Sequence, residues 1–395
     1  MVIALAQWLC HIMKRKNFEV DGMKKKVALI FGGRSLERDI SVITAMQTLA
    51  NIDASKYEVE CIYALDGDFY AKKLDSIKRF APFEPTEHVK VFLIKGEFYS
   101  LKKSKLVRFF KPDVALLCCH GGEGENGILQ ALLEYNGIAY TSCDVLRSAC
   151  LMDKALSKRL FESLLLNVLP YEIVLKSEFE NDKQKTLERL EKLIGYPMIV
   201  KPSSQGSSIG IEVAKRREEL DFALQVAAKY DSKIVVEQKL EDFSEVNCAA
   251  YQKDGKIVLS DTEQPCSKSD FLTFSDKYSG GKMSACSHVV PAPIGSLELI
   301  VKANTQRLYY ELGLFGVVRV DYLVDTKRNK VYVNEINTIP GSMAFYLFKG
   351  VGVSFKILIG DLIEEAISRK SHAIRTDVFV SDVLKNFSGG AKLGK

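Results

Sequence analysis

The chain reads as an α/β protein of more than one domain, with parallel strand–turn–helix units at its amino-terminal end. Three observations predict this. Short apolar runs end at glycines that lead into helix-forming sequence, strands and helices alternate through the middle, and the carboxyl-terminal part turns to paired strands around Asp254-Gly255. Its 395 residues suffice for two or three domains with cores of their own.

In chain order, residues 26–31 form an apolar strand broken by Gly32-Gly33, and helix-forming sequence follows over 37–49. A second strand, 57–64, stops at the Asp66-Gly67 turn, and a third, 114–119, runs into His120-Gly121-Gly122. Strands that end in glycine loops put ligands at their carboxyl ends. Helical periodicity over 146–166 stops before Pro170. A strand (171–175), a helix ending at Gly195 and a strand (197–201) come next. Beyond a glycine- and serine-rich loop lie a strand (209–214), a helix ending at Tyr230 and a strand (233–238). Asp254-Gly255 between two strand-like runs predicts a hairpin. The polar stretch 266–287 reads as a mobile loop, followed by a helix over 297–312 and strands over 317–324 and 330–337.

Composition narrows the partners. The net charge of +5 is small, and lysines and acids are interspersed without a basic face, which argues against nucleic acid. Nine cysteines without metal-type spacing read as buried thiols in a reducing compartment. Within residues 1–22 the apolar part, 1–13, is too short to span a bilayer, the basic cluster 14–16 follows it, and no cleavage site is visible. Residues 1–22 read as an extension outside the core or an upstream start. The tail, 388–395, reads as disordered.

Four stretches could carry chemistry. Along an extended strand alternate residues share a face, so Arg319 pairs with Asp321, and Glu335 with Asn337 on the neighbouring strand. Hard oxygen donors in that arrangement suit magnesium; a solvated hairpin face with a salt bridge would show the same spacing. The loop from Lys201 to Gly210 could cradle a phosphate, although it lacks the Walker glycine spacing and an ordinary turn is the alternative. Gly32-Gly33-Arg34-Ser35-Leu36-Glu37 lacks the dinucleotide fingerprint, and Glu37 could simply complement a helix dipole. His120 could be catalytic or a structural hydrogen-bond partner, and no hydrolase triad can be built around it.

Taken in order, these stretches resemble the D-alanine–D-alanine ligase family over about residues 24–365. The motifs are Gly-Gly-Arg-Ser-Leu-Glu-Arg-Asp-Ile-Ser (32–41), His-Gly-Gly-Glu-Gly-Glu-Asn-Gly (120–127), Met-Asp-Lys (152–154) and Val-Lys-Pro-Ser-Ser-Gln-Gly-Ser-Ser-Ile-Gly (200–210). Asp-Lys-Tyr (276–278), Arg-Val-Asp (319–321) and Asn-Glu-Ile-Asn-Thr-Ile-Pro-Gly (334–341) complete the set. The resemblance implies a three-domain ATP-grasp architecture. A Rossmann-like parallel α/β domain would span 23–143, and the two grasp subdomains 144–240 and 241–387. It also implies a cytoplasmic homodimer that uses ATP and two magnesium or manganese ions to join two D-alanines for peptidoglycan synthesis.

Residue by residue, the resemblance implies that Lys154, Lys201 and the loop residue Lys277 neutralise ATP phosphates. Glu237 and Leu240 would meet the adenine, and Glu245 the ribose at a spacing one residue longer than the family's. Asp321, Glu335 and Asn337 would hold the metals. Glu37 would take the first substrate's ammonium, with Ser207 and Tyr278 in one hydrogen-bonded set and His120 nearby. Arg319 and the Gly341 amide would face the oxyanion. The second substrate's carboxylate falls to Ser342, Tyr346 and Leu347, where Tyr346-Leu347 replaces the family's usual Ser-Leu. That departure, with an unusual stretch at 267–274, opens D-lactate or D-serine as second substrates, although Tyr278 favours an amino acid. A nucleotide-binding regulator without catalysis is the reading of another class, and the intact Arg319, Asp321, Glu335 and Asn337 set argues against it.

Overall fold

The computed structural model describes residues 24–71, 73–206, 208–265, 288–371 and 382, with the side chain of Ser371 excepted. The expected extension at 1–22, the loop at 266–287, the tail at 388–395, and with them Ser207, Lys277 and Tyr278, lie outside the described residues.

Three sheets follow one another along the chain. The first comprises β1 (Lys25–Gly32), β2 (Tyr57–Leu65), β3 (Asp68–Ala71), β4 (Val89–Ile94), β5 (Glu97–Lys102), β6 (Lys105–Phe110), β7 (Val114–Leu117) and β8 (Ala139–Tyr140). Its order is β6-β5-β4-β3-β2-β1-β7-β8. β1 pairs parallel with β2 and β7, and β7 parallel with β8. Helix α1 (Arg38–Asn51), the single turn α2 (Gly122–Glu125) and α3 (Ile128–Tyr135) complete this unit.

The parallel half is the part expected from the sequence. Between β2 and β6, however, the sheet is an antiparallel meander. Its hairpins turn at Asp66-Gly67, Lys95-Gly96 and Lys103-Ser104, all with positive φ. Such pairs suit the right-handed twist of two-residue hairpins. Only the first of them carries the Asp-Gly signature, and the other two turns have no strong local signal.

The second sheet has the order β11-β10-β12-β9, made of β9 (Tyr171–Leu175), β10 (Met198–Pro202), β11 (Glu212–Ala214) and β12 (Lys233–Gln238). Helices α4 (Val145–Met152) and α5 (Lys154–Ser163) precede it, and α6 (Lys176–Asn181), α7 (Lys183–Leu193) and α8 (Arg217–Ala227) alternate with its strands. The single helix expected over 146–166 is thus two. Asp153 leaves the helical region at φ −85, ψ 106, and its carboxylate caps α5 by accepting from the amides of Ala155 and Leu156. The strand expected over 209–214 shortens to three residues.

The third sheet has the order β14-β13-β15-β16: β13 (Ser244–Lys253), β14 (Lys256–Glu263), β15 (Val318–Asp325) and β16 (Lys330–Asn337). The hairpin at Asp254-Gly255 is present as expected, with positive φ at both residues. Helix α9 (Leu297–Glu311) packs on this sheet, burying Leu297, Val301 and Leu308. The last helix, α10 (Phe355–Ser371), returns to the first unit. Its Leu358, Ile359, Leu362 and Ile363 share one core with Val27, Leu29 and Val114 of the first sheet and Tyr251 of the third. No helix among the described residues is long and apolar enough to cross a membrane.

Candidate active site

β15 and β16 run antiparallel, with Arg319 opposite Asn337 and Asp321 opposite Glu335. Alternation puts all four on one face. The Arg319 guanidinium grips Asp321 with two bonds, Nε to Oδ1 and Nη2 to Oδ2, each 2.7 Å. The Asn337 amide donates to Asp321 Oδ2 at 3.0 Å. A bulge follows Asp321, so the pairing shifts immediately beyond the face.

Two elements of the second unit bring cations to that face. Lys154, the first residue of α5, lies 3.6 Å from Glu335 Oε2 and donates to the Gln205 carbonyl at 2.6 Å. Lys201 ends the apolar run of β10, where its ammonium is 2.8 Å from Glu237 Oε2. Glu237 lies on β12 opposite Ile199, so Lys201 is its diagonal neighbour on the same face. Lys158, one turn beyond Lys154 on α5, stands 3.0 Å from Glu237 Oε1. Burial alone would raise the Glu237 carboxyl; Lys158 and Lys201 outweigh it and hold it at about 2. Glu237 therefore spends its charge on two lysines, one of which the sequence reading did not name.

The apolar side chain of Leu240 packs with Leu169 of the second unit and Leu323 of the third, alongside Phe243 and Tyr332. This small cluster joins residues of the second and third units. Glu245 sits on β13 opposite Leu323.

Glu37 caps the start of α1, its amide donating to Ser35 Oγ at 3.0 Å. Its carboxylate reaches across to two glycine loops. A Cβ on Gly121 would stand 2.5 Å from Glu37 Oε2, and one on Gly206 would stand 2.7 Å from the same atom. Only glycine lets both loops approach the acid, and Gly121 also has φ +63. The phosphate-loop candidate and the amino-terminal acid thus meet, although Ser207 itself is outside the described residues.

His120 is buried, and both ring nitrogens are engaged by protein. Nδ1 is 2.7 Å from the Ile339 carbonyl oxygen and Nε2 is 2.7 Å from Thr44 Oγ1. Burial pushes its pKa down, against the pull of the Ile339 carbonyl. His120 stays close enough to Glu37 to feel its charge, and both ring nitrogens have protein partners.

The three residues expected at the second substrate's carboxylate have these surroundings in the fold. The Tyr346 hydroxyl donates to Glu263 Oε2 at 3.0 Å. Glu263, the buried last residue of β14, also takes the Asn247 amide at 3.2 Å and lies 2.9 Å from His288 Nδ1. The His288 ring stacks on Tyr346 with centroids 5.4 Å apart. Tyr346 is close enough to Arg319 to feel its charge, but its hydroxyl has a protein partner. Leu347 is fully buried in the core. Ser342 lies at φ +50, and its amide donates to Thr44 Oγ1 at 3.2 Å. Sequence reasoning had no access to the Tyr346–Glu263 pair, whose members are 83 positions apart.

Asp321, Glu335 and Asn337 offer hard oxygen donors, which fit magnesium or manganese chemically. Among the described residues no three His, Cys, Asp or Glu side chains gather into a ready cage. A metal on this face would take its remaining ligands from phosphate oxygens and water.

Residues 26–143 match the family described as the D-ala D-ala ligase N-terminus, and residues 160–364 that described as the D-ala D-ala ligase C-terminus. A D-alanine–D-alanine ligase of Chloroherpeton thalassium is 37% identical over 363 residues, covering 88% of this chain and 98% of the relative. Among solved structures, the VanG D-Ala:D-Ser ligase of Enterococcus faecalis superposes with a TM-score of 0.74 at 28% identity, over 87% of this chain and all of that one. The D-alanine–D-alanine ligase of Helicobacter pylori gives 0.70 at 26% identity, over 87% of this chain and 98% of that one.

Proposed function

The chain belongs to the D-alanine–D-alanine ligase family, and from that premise we propose how its residues divide the work. It is an ATP-dependent ligase of ATP-grasp fold that joins two D-alanines into D-alanyl-D-alanine through an acyl phosphate, a step of peptidoglycan precursor synthesis.

ATP would lie between the second and third sheets, its adenine against Leu240 and the Glu237 strand end and its ribose at Glu245. Lys154, Lys201 and Lys277 would offset the phosphate charge. Asp321, Glu335 and Asn337 would hold two magnesium or manganese ions, which when bound spread the charge of the transferring phosphoryl group. Glu37 would hold the first D-alanine by its ammonium, with Ser207 and Tyr278 completing the set and His120 supporting the loop beside it.

A carboxylate is a poor acylating agent. The first D-alanine's carboxylate takes the γ-phosphoryl group, with ADP as the leaving group. The second D-alanine's amine then attacks the acyl carbon, forming the C–N bond. The Arg319 guanidinium and the Gly341 amide would face the developing oxyanion, and phosphate departs as the amine loses a proton. The second carboxylate would meet Ser342 and the Leu347 amide, with the Tyr346 ring as a wall.

We place the three unit boundaries at 23–143, 144–240 and 241–387, and the working enzyme as a cytoplasmic homodimer. A D-serine or D-lactate ligase is the second reading, favoured by the Tyr346-Leu347 departure and the likeness to a D-Ala:D-Ser ligase.

The observation that carries these assignments is the Arg319–Asp321–Glu335–Asn337 face with Lys154 at its edge. Asp321→Asn and Glu335→Gln should each lower turnover by a factor on the order of a hundred or more with circular dichroism unchanged, since each removes a charge facing phosphate. Near wild-type turnover in either variant at ordinary magnesium would remove that residue from the metal site.

A further inference from the structure

The segment carrying Gly341 cannot hold its own shape. Ser342, Met343 and Ala344 stand in the left-handed region at φ 50, 53 and 49. For residues with a Cβ this conformation is disfavoured, so the surroundings must over-determine it.

The amino-terminal unit does so at three points. Glu125 Oε1 accepts from the Ile339 amide at 2.9 Å, while its Oε2 accepts from the Gly121 amide at 2.8 Å. His120 Nδ1 meets the carbonyl of the same Ile339 at 2.7 Å. Both polar groups of one peptide residue are therefore taken by side chains of the 120–127 motif. Two residues past Pro340, the Ser342 amide donates to Thr44 Oγ1, which also lies 2.7 Å from His120 Nε2.

Donor and acceptor accounting closes in one way. The Ile339 carbonyl requires a proton on Nδ1. Nε2 of the neutral ring then accepts from the Thr44 hydroxyl, whose lone pair receives the Ser342 N–H. Thr44 is fully buried on α1, seven residues from Glu37 in sequence. Gly341 lies between the gripped residues Ile339 and Ser342.

We propose that Glu125, with Thr44 and His120, is a positioning residue for the amine-attack half of the reaction, fixing the Gly341 amide where the oxyanion develops. The unit that carries Glu37 thereby becomes part of the oxyanion site. Docking of the first substrate on that unit and the orientation of the oxyanion donor are one rigid arrangement. This rests on the oxyanion role given above to Gly341.

Glu125→Gln keeps one carbonyl oxygen and can satisfy only one of the two amides, whereas Thr44→Val removes both roles of the hydroxyl at nearly constant volume. In each variant dipeptide kcat should fall about tenfold or more, as expected for small misplacement of a catalytic group. Michaelis constants for ATP should stay within about twofold, because the lysines that meet the phosphates are untouched.

The discriminating readout is exchange of the β,γ-bridge oxygen of labelled ATP with D-alanine present. It reports reversible acyl-phosphate formation, and it should persist within about threefold of wild type. Persisting exchange also shows that the variant is folded. Loss of exchange and dipeptide together would overturn the proposal in favour of a general structural role. Unchanged dipeptide turnover in both variants would overturn it outright. Should Gly341 have no oxyanion role, exchange and dipeptide would again fall together or not at all. Should the ligase reading itself fail, the wild-type chain would give no dipeptide.

Discussion

At the scale of single residues, Tyr346 is the most instructive. By sequence its hydroxyl replaces a serine expected at the second substrate's carboxylate. In the fold that hydroxyl belongs to Glu263, a buried carboxylate that also uses Asn247 and His288. Removing it strands part of a buried charge, so Tyr346→Phe should cost about 1–3 kcal/mol of stability. Glu263→Gln should perturb the same contact, and the two substitutions together should cost less than their sum, because they share one bond. A double-mutant cycle read by denaturation and by the second-site Michaelis constant checks this. A tenfold rise of that constant in Tyr346→Phe with stability unchanged would return the hydroxyl to the substrate. Lys158 teaches the same lesson: its four-residue spacing from Lys154 was visible, but its partner Glu237 lies on a strand 79 positions away. Local pattern names the residue types, and only the packed sheets decide which charge answers which.

At the scale of elements, the β15–β16 pair was legible because it needs only period-two alternation, and Arg319, Asp321, Glu335 and Asn337 do share a face. The β2–β6 meander was not. β6 is largely exposed and carries no strong alternation, and two of its three turns lack an Asp-Gly or Asn-Gly pair. Helix α10 shows how a titratable group acts within an element. Its Glu365 accepts from the Gly316 amide at 2.9 Å, and burial raises its pKa to about 7 despite Arg369. The folded state then binds more protons than the unfolded state between about pH 4.5 and 7. The contribution of Glu365 to stability is therefore greatest at the acid end and declines through that window. Glu365→Gln keeps an acceptor for Gly316 and should flatten the decline, leaving the part due to Glu125, which burial and the charge of Glu37 also raise to about 7. Melting curves from pH 5 to 7.5 test it; an unchanged slope would show that Glu365 does not titrate there.

At the scale of the whole molecule, the three sheets converge on one region because the helix and segment after β16 return to the first unit. The core shared by Leu358, Ile359 and Leu362 with β1 and β7 ties the last element to the first. The 120–127 motif and Ile339 then lock the amino-terminal unit to the end of the third sheet. The order of motifs along the chain foretold this assembly, while the contacts that seal it join residues more than 200 positions apart and leave no local trace. An assembly of this kind serves a ligase that must hold two amino acids and ATP together out of water. The most direct test is dipeptide formation, with ADP release in parallel, from D-alanine alone and from D-alanine mixed with D-serine, D-lactate or L-alanine. The account predicts D-alanyl-D-alanine from D-alanine alone, one ADP per dipeptide, and no mixed product from L-alanine. ADP release without dipeptide, or product only when D-serine or D-lactate is supplied, would contradict it.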